Sequence, residues 1–270
     1  LLEAIAAKVD DLYGCRVDPQ ASVTVTSGAT EALFCAVHAV VRSGDEVILL
    51  EPAYDSYEPA VELAGGRAVR VPLLRPGFGV DWDRVRHAIN PRTRLLIVNS
   101  PHNPTGAVFA PADLDALEDV LRDTSVLLLS DEVYEHIVFD GRTHQSLLTR
   151  PALAARSFVV SSFGKTYHCT GWKVGYCVAP PGLTAEFRKV HQFVQFAVAS
   201  PMQAALAQFL VECPGHAREL GAFYQRKRDR FLKLLAATPL RPIPTAGTYF
   251  RLANYAAESQ QPDVEFARAL

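Results

Sequence analysis

The chain has 270 residues, of which 49% are apolar and 21% are charged, as in an ordinary globular protein with a large core. This composition excludes a disordered chain, a collagen and a coiled coil. The formal net charge of -2 indicates no nucleic-acid partner. The five cysteines form no C-x-x-C pair, which argues against both a disulfide framework and a metal site. A reducing, cytoplasmic compartment is therefore expected.

Both the start of the chain and one uncharged stretch bear on targeting. Because the chain begins with Leu1 and not methionine, it is expected to be a fragment or a processed chain. Its first segment lacks the apolar core of a signal peptide. The stretch 192–211 is long and uncharged, but its four glutamines and Pro201 favour a buried pair of helices over a membrane span.

Strand-length apolar runs alternate with helical patterns along most of the chain. Helices are predicted at 30–41, 57–63, 82–89 and 114–121, and strands at 46–50, 68–71, 95–98, 126–129, 158–160 and 174–178. Strands that are apolar on both faces and alternate with helices are typical of an α/β fold. The sequence thus predicts a three-layer αβα architecture around a mostly parallel sheet.

The C-terminal part has a different pattern. A long polar helix is predicted over 214–237, and Pro239, Pro242 and Pro244 then mark a linker. The run 247–252 reads as a new strand. The sequence therefore predicts a large domain over residues 1–237, which includes the long helix, and the beginning of a small α+β domain over residues 238–270.

Ligands of such sheets bind at the carboxyl ends of the strands, so the residues that follow each strand are the candidates for chemistry. Ser161 to Thr166 ends in Gly-Lys-Thr, as a P-loop does, but Val159 stands where that motif needs a glycine. Lys165 and Lys173 are the two lysines at strand ends. An amine in that position can form a Schiff base with an aldehyde cofactor, although either residue alone is more often a surface lysine.

Three further groups of residues are suited to bind a cofactor of this kind. Asp131 directly follows a predicted strand, where a carboxylate can pair with a protonated pyridine nitrogen or simply cap a helix. Tyr134 can donate to a phenolate oxygen of that ring or lie in the core. Ser27-Gly28-Ala29-Thr30 precedes a helix, whose N-terminus attracts anions. The neighbouring carboxylates Glu132 and Glu135 are expected to be solvated or capping residues.

In chain order the motifs are S-G-A-T, E-P-A-Y-D-S-Y, S-P-H-N-P-T-G, S-D-E-V-Y, S-S-F-G-K-T and G-W-K-V-G. This series resembles the fold-type I pyridoxal-phosphate-dependent aminotransferases of class I/II, and the resemblance runs across essentially the whole chain. Within that family, residues 161–180 are most similar to the methionine and kynurenine/glutamine aminotransferase branch. The resemblance implies a homodimer that transfers an amino group from an amino acid to a 2-oxo acid by a ping-pong mechanism.

The resemblance also implies a role for each matching residue. Lys165 would form the Schiff base with pyridoxal phosphate and move a proton between the substrate Cα and C4′. Asp131 would pair with the pyridine nitrogen, and Tyr134 and Asn103 would bond the ring oxygen. Tyr54 would stack on the ring. The phosphate would be held by Gly28, Ala29, Thr30, Ser162 and Lys173, the last standing where many members have arginine.

Two alternatives remain open at this stage. A carbon–sulfur β-lyase would use the same lysine and aspartate, but would eliminate at Cβ and release pyruvate and ammonia. A transcription regulator with an aminotransferase-like ligand-sensing domain would place a basic winged helix before this region, where the sequence preceding Ser22 is short and acidic. The arginine that binds the substrate carboxylate in the family has no match in the chain and is expected beyond Leu270.

Overall fold

The computed structural model describes residues 1–270 and contains a seven-stranded sheet with the order β1-β7-β6-β5-β4-β2-β3. Six strands run in one direction, and β7 runs antiparallel between β1 and β6. The strands are β1 (Val23–Thr26), β2 (Glu46–Glu51), β3 (Arg67–Pro72), β4 (Thr93–Asn99), β5 (Leu127–Asp131), β6 (Ser157–Ser162) and β7 (Gly175–Val178).

The six strands predicted from the sequence are confirmed, while β1 was not predicted. Its Val-Thr-Val-Thr sequence looks half polar, yet all four residues are buried, because Thr24 and Thr26 find partners inside the protein. The Thr26 hydroxyl donates to the carbonyl of Gly28, and Thr24 Oγ1 accepts from Arg188.

Twelve α-helices connect and follow the strands. They are α1 (Leu2–Tyr13), α2 (Pro19–Ser22), α3 (Gly28–Val40), α4 (Tyr57–Leu63), α5 (Trp82–Ala88), α6 (Pro111–Leu121), α7 (Pro151–Ala154), α8 (Phe163–Thr166), α9 (Pro181–Val194), α10 (Ser200–Glu212), α11 (Gly215–Leu235) and α12 (Asp263–Ala269). Residues 241–242 (β8) and 253–254 (β9) form a separate two-stranded ladder. The predicted helices are all present, with ends shifted by up to three residues.

The core lies on both faces of the sheet because successive side chains of a strand point to opposite sides. On β4, Leu95 and Ile97 join the cluster that contains Phe187 of α9 and much of α3. Leu96 and Val98 belong to the opposite cluster, together with residues of α1, α5 and α6. Helices therefore cover both faces, which confirms the three-layer αβα architecture.

The run 247–252 is not a strand, contrary to the expectation from the sequence. It makes one isolated bridge, between Val138 and Gly247. The backbone N–H groups at its start donate to loop carbonyls and not to a neighbouring strand. The backbone N–H groups of Ala246 and Gly247 both donate to Gly106 at 2.9 Å. Gly106 has φ +71° and no space for a side chain beside the Gly247 carbonyl. The boundary between the two domains at residue 238 stays a prediction.

The stretch 192–211 does belong to a pair of helices, α9 and α10, but the expectation that the pair is buried is wrong. Phe193, Phe196 and Val211 are 86%, 77% and 76% exposed in the chain, and Leu206 is the one buried residue of α10. None of the helices combines the length and the apolar character that a membrane crossing requires.

A buried polar network fastens α1 to the sheet. The Glu135 carboxylate accepts hydrogen bonds from Lys8 at 2.6 Å and from Tyr13 and Ser161. Burial alone would raise the pKa of Glu135, but the Lys8 ammonium holds that pKa far below its usual range. Glu132 is also buried and accepts from Ser130 and His144. Of the expectation that these carboxylates are solvated or capping residues, the first part is wrong, because both are buried among hydrogen-bond donors, and Glu132 also accepts from the backbone N–H of Leu147.

We expect Leu117→Ala to lower the free energy of unfolding by about 2–5 kcal/mol, since Leu117 on α6 is fully buried and its removal leaves a cavity. The matched control is Leu63→Ala on α4, where the side chain is 72% exposed and the loss should be within about 0.5 kcal/mol. Urea denaturation measures both values. Equal losses in the two variants would contradict this assignment of the core.

Candidate active site

All ten residues that the sequence proposes as a cofactor site lie at one edge of the sheet. At this edge β1, β2, β4, β5 and β6 end, and β7, which runs the other way, begins. A cavity of about 330 Å³ opens there. Its lining includes Gly28, Ala29, Thr30, Tyr54, Asn103, Asp131, Tyr134, Ser162, Lys165 and Lys173. The structure thus brings the ten residues together, while their individual roles stay predictions.

One end of the cavity is built as an anion site. Helix α3 begins at Gly28, where φ is +75°. Because Gly28, Ala29 and Thr30 line the cavity, the first N–H groups and the positive end of the helix dipole lie at this end. A Cβ on Gly28 would lie 3.2 Å from Lys173 Nζ, so the ammonium lies directly against this loop. Ser162 caps α8 next to it by accepting from Gly164 N at 3.1 Å.

Asp131 forms the opposite, buried end. Its carboxylate accepts a hydrogen bond from Tyr57 OH at 2.7 Å on one oxygen and from Val133 N at 3.2 Å on the other. Burial raises the pKa of Asp131 to about 6, against the opposing effect of the Tyr57 hydrogen bond. A cation beside this carboxylate would favour its ionised form, so the site is suited to a protonated ring nitrogen.

Asn99, at the end of β4, joins the loops on either side of the cavity. Its side-chain N–H donates to the Asp131 carbonyl at 2.7 Å, and its side-chain oxygen accepts from Asn103 N at 2.7 Å. These bonds hold the Asn103 loop beside β5. Tyr54, on the loop after β2, packs edge-on against Tyr57 with 5.6 Å between the ring centroids.

Lys165 lies in α8, the single turn that follows β6. Lys8 and Lys189 form ion pairs with carboxylates, whereas Lys165 and Lys173 line the cavity without a carboxylate partner. Lys165 Nζ lies over the Tyr249 ring, 5.9 Å from its centroid. Both ammonium groups are therefore available to a ligand that enters the cavity.

Three aromatic residues of this site were not proposed from the sequence. Tyr57 belongs to the same E-P-A-Y-D-S-Y motif as Tyr54, and its spacing of three residues was the signal that could have identified it. Tyr249 and Phe250 pack edge-on against Tyr134, at 5.4 and 5.7 Å. They were assigned to the small domain, and only the hydrogen bonds of residues 246–248 to the loops after β4 and β5 bring them here.

Comparison with known proteins gives one family. The profile described as "Aminotransferase class I and II" matches residues 1–270. The methionine aminotransferase of Escherichia coli (strain K12) is 50% identical over 270 residues, which are the whole chain and 70% of that protein. Kynurenine–oxoglutarate transaminase 1 of Mus musculus is 35% identical over 283 residues, covering 98% of the chain and 67% of that protein.

Comparison of the folds agrees. The crystal structure of YbdL from Escherichia coli, for which a methionine aminotransferase function is described, superposes with a TM-score of 0.98 and 49% identity. The match covers the whole chain and 71% of that structure. The resemblance inferred from the motifs is therefore confirmed at the level of the family and the fold.

The Asp131 carboxyl should make stability depend on pH in a defined direction. Its pKa is about 6 in the folded protein and 3.8 ordinarily, so the folded state holds the proton more tightly and stability falls as pH rises from about 4 to about 6. At roughly 1.4 kcal/mol per pKa unit the penalty above pH 6 is about 3 kcal/mol. Asp131→Asn should remove this part of the pH dependence.

The measurement is urea denaturation between pH 4 and pH 8 of the purified protein in the absence of any bound ligand. Asp123→Asn, at an exposed turn, is the matched control and should keep the slope of the unsubstituted protein. An unchanged slope for Asp131→Asn would contradict the raised pKa.

Proposed function

Because the chain belongs to the class I and II aminotransferases and is an aminotransferase, we propose that its amino donor is methionine and its acceptor a 2-oxo acid. The observation that carries the choice of an amino-acid substrate is the cavity, in which six separate strand ends bring together ten matching residues. The choice of methionine rests on the 50% identity to a methionine aminotransferase. Aromatic amino acids, kynurenine and glutamine are the next candidates within the same branch.

The family is dependent on pyridoxal phosphate, and we propose that this chain binds it in the cavity. The residues fit the group at both ends: α3 and Lys173 form an anion site, and the Asp131 carboxylate lies at the other end. When bound, the cofactor supplies an aldehyde that bonds to amines and a ring that accepts the electron pair left at the substrate Cα. Lys165, without a carboxylate partner, is placed to supply the amine.

Each residue then contributes a separate physical effect. Asp131 keeps the ring nitrogen protonated, because the two opposite charges are buried together. Tyr134 and Asn103 would donate to the ring oxygen, and Tyr54 would cover a ring face. When its amine is not bonded to the cofactor, Lys165 Nζ would be the base that takes the proton from the substrate Cα. Tyr249 limits the space next to that amine.

Binding of the phosphate relies on fixed backbone groups and one flexible charge. The first N–H groups of α3 point to one place, and Ser162 adds a hydroxyl. Lys173 adds a compact positive charge but not the planar fork of an arginine, so it contributes charge more than orientation. The orientation of the phosphate therefore depends on the loop from Ser27 to Thr30.

We also propose a homodimer in a reducing, cytoplasmic compartment. The exposed apolar side chains of Phe193, Phe196 and Val211 fit burial against a second copy of the chain. All five cysteines are free, which is consistent with a reducing environment. Neither the β-lyase nor the ligand-sensor alternative is supported by the relatives.

We expect Lys165→Ala to abolish transamination, since Lys165 and Lys173 are the two lysines that line the cavity and Lys173 lies against the Gly28 loop at its anion-binding end. Borohydride reduction of the enzyme with pyridoxal phosphate, followed by peptide mapping, should place the pyridoxyl label on Lys165. Lys189→Ala, which removes an exposed lysine of α9, is the control and should keep full activity. A label on Lys173 would overturn the assignment.

A panel of amino donors with one 2-oxo acid tests the substrate proposal. Methionine should give the highest kcat/KM, because an unbranched thioether side chain fits a site bounded by Tyr54, Tyr134 and Phe250. Turnover should require the 2-oxo acid. Release of pyruvate and ammonia from a sulfur-containing donor without any acceptor would favour the β-lyase instead.

A further inference from the structure

A second group of reactive side chains lies outside the cavity, where α3 and α9 pack together. Glu31 and Cys35 are one turn apart on α3, and His191 lies on the last turn of α9. The Cys35 thiol donates to Glu31 Oε1 at 3.0 Å, and His191 Nδ1 lies 2.9 Å from the same oxygen. The three ligand atoms are all within 4.8 Å of one another.

We propose that Glu31, Cys35 and His191 bind one zinc ion or a similar borderline transition-metal ion. A thiolate, an imidazole and a carboxylate are the side chains that bind Zn²⁺ in proteins. Bonds of about 2.0–2.3 Å from a tetrahedral ion place its ligand atoms roughly 3.5 Å apart. The observed separations of 2.9 and 3.0 Å therefore need to widen by about half an ångström, with the fourth position taken by water.

The surroundings of the group hold these ligands in place. Cys35 is fully buried and His191 is 8% exposed, so neither side chain is free to turn into solvent. The Glu31 carboxylate uses its other oxygen to accept from Ser27 N at 2.7 Å, which leaves Oε1 for the ion. Because the packing of α3 against α9 already holds the three ligands close together, binding of the ion costs little further conformational entropy.

In the single chain one ligand of the group borders an open cavity, and the cation at that cavity is directed elsewhere. His191 also lines an open cavity of about 380 Å³ together with Gln192 and Gln203. The one cationic side chain at that cavity, Arg188, donates to Thr24 Oγ1 at 3.0 Å and to the Val23 carbonyl at 2.7 Å. Its charge is thus directed at β1 and not at Glu31.

Binding of the metal ion releases a proton from one of its ligands. The Cys35 thiol loses its proton to solvent as the zinc–sulfur bond forms, and His191 must carry its remaining proton on Nε2 so that Nδ1 can bind. Affinity should therefore rise with pH, as it does wherever a ligand must be deprotonated.

This inference does not depend on the proposed function, although the two sites share α3. Glu31 directly follows Thr30, and its contact with Ser27 N lies in the loop that we propose for the phosphate. The metal site can be tested by metal content and spectroscopy, without any activity measurement. If no metal binds, the cofactor proposal is unchanged. If the cofactor proposal fails, the metal site is likewise unaffected.

The experiment measures zinc bound to the purified holoenzyme in the absence of amino acids. The enzyme is treated with chelator, incubated with Zn²⁺, passed through a desalting column and analysed for metal. We expect about one ion per chain. Cys35→Ser and His191→Gln should each weaken binding by about a hundredfold or more, since even changes outside the ligands cost about 10–100-fold.

Two cysteine controls separate this site from adventitious binding. Cys213→Ser removes the exposed cysteine, and Cys177→Ser alters a buried cysteine in the same apolar cluster as Cys35; both should bind zinc as the unsubstituted enzyme does. Co²⁺ provides a measurement that needs no variant, because thiolate coordination gives a charge-transfer band and tetrahedral geometry gives intense visible bands. Failure to retain zinc, or equal retention in Cys35→Ser, would overturn the proposal, as would octahedral Co²⁺ without a thiolate band.

Discussion

The close approach of β7 to the beginning of α3 is the constraint on which the site depends. Gly175 has no space for a side chain, because a Cβ there would lie 2.7 Å from the backbone nitrogen of Ala29. Since β7 is the one reversed strand, its first residues lie at the edge where β1 and β6 end. That reversal places Lys173 against Gly28 and next to Ser162, so one steric contact aligns a helix N-terminus, a hydroxyl and an ammonium group.

Polar groups beneath the cavity are paired, whereas those that face it are left available. Glu135 is neutralised by Lys8 and bonded to Ser161, the residue before Ser162, which stabilises the end of β6. Asn99 bonds both neighbouring loops. Lys165 and Lys173 have no carboxylate partner. A buried, hydrogen-bonded framework thus carries two cations without carboxylate partners, which is an arrangement suited to an anionic ligand.

Helix α3 serves two regions of the molecule. Its first turn faces the cavity, and the next turn presents Glu31 and Cys35 to α9, where His191 completes a set of metal-binding side chains. The Glu31 carboxylate belongs to both regions, since it accepts from Ser27 N on one oxygen and from Cys35 on the other.

The sequence by itself determined the family, the αβα layers and the ten candidate residues, because short motifs follow strands whose apolar runs are long and uninterrupted. It did not reveal β1, whose threonines find buried partners, or the burial of Glu132 and Glu135, whose donors come from distant segments. Tyr249 and Phe250 reach the cavity only through hydrogen bonds between residues 246–248 and the loops after β4 and β5. The grouping of His191 with Glu31 and Cys35 likewise arose from helix packing, since contacts between residues far apart in the chain leave no spacing pattern in it.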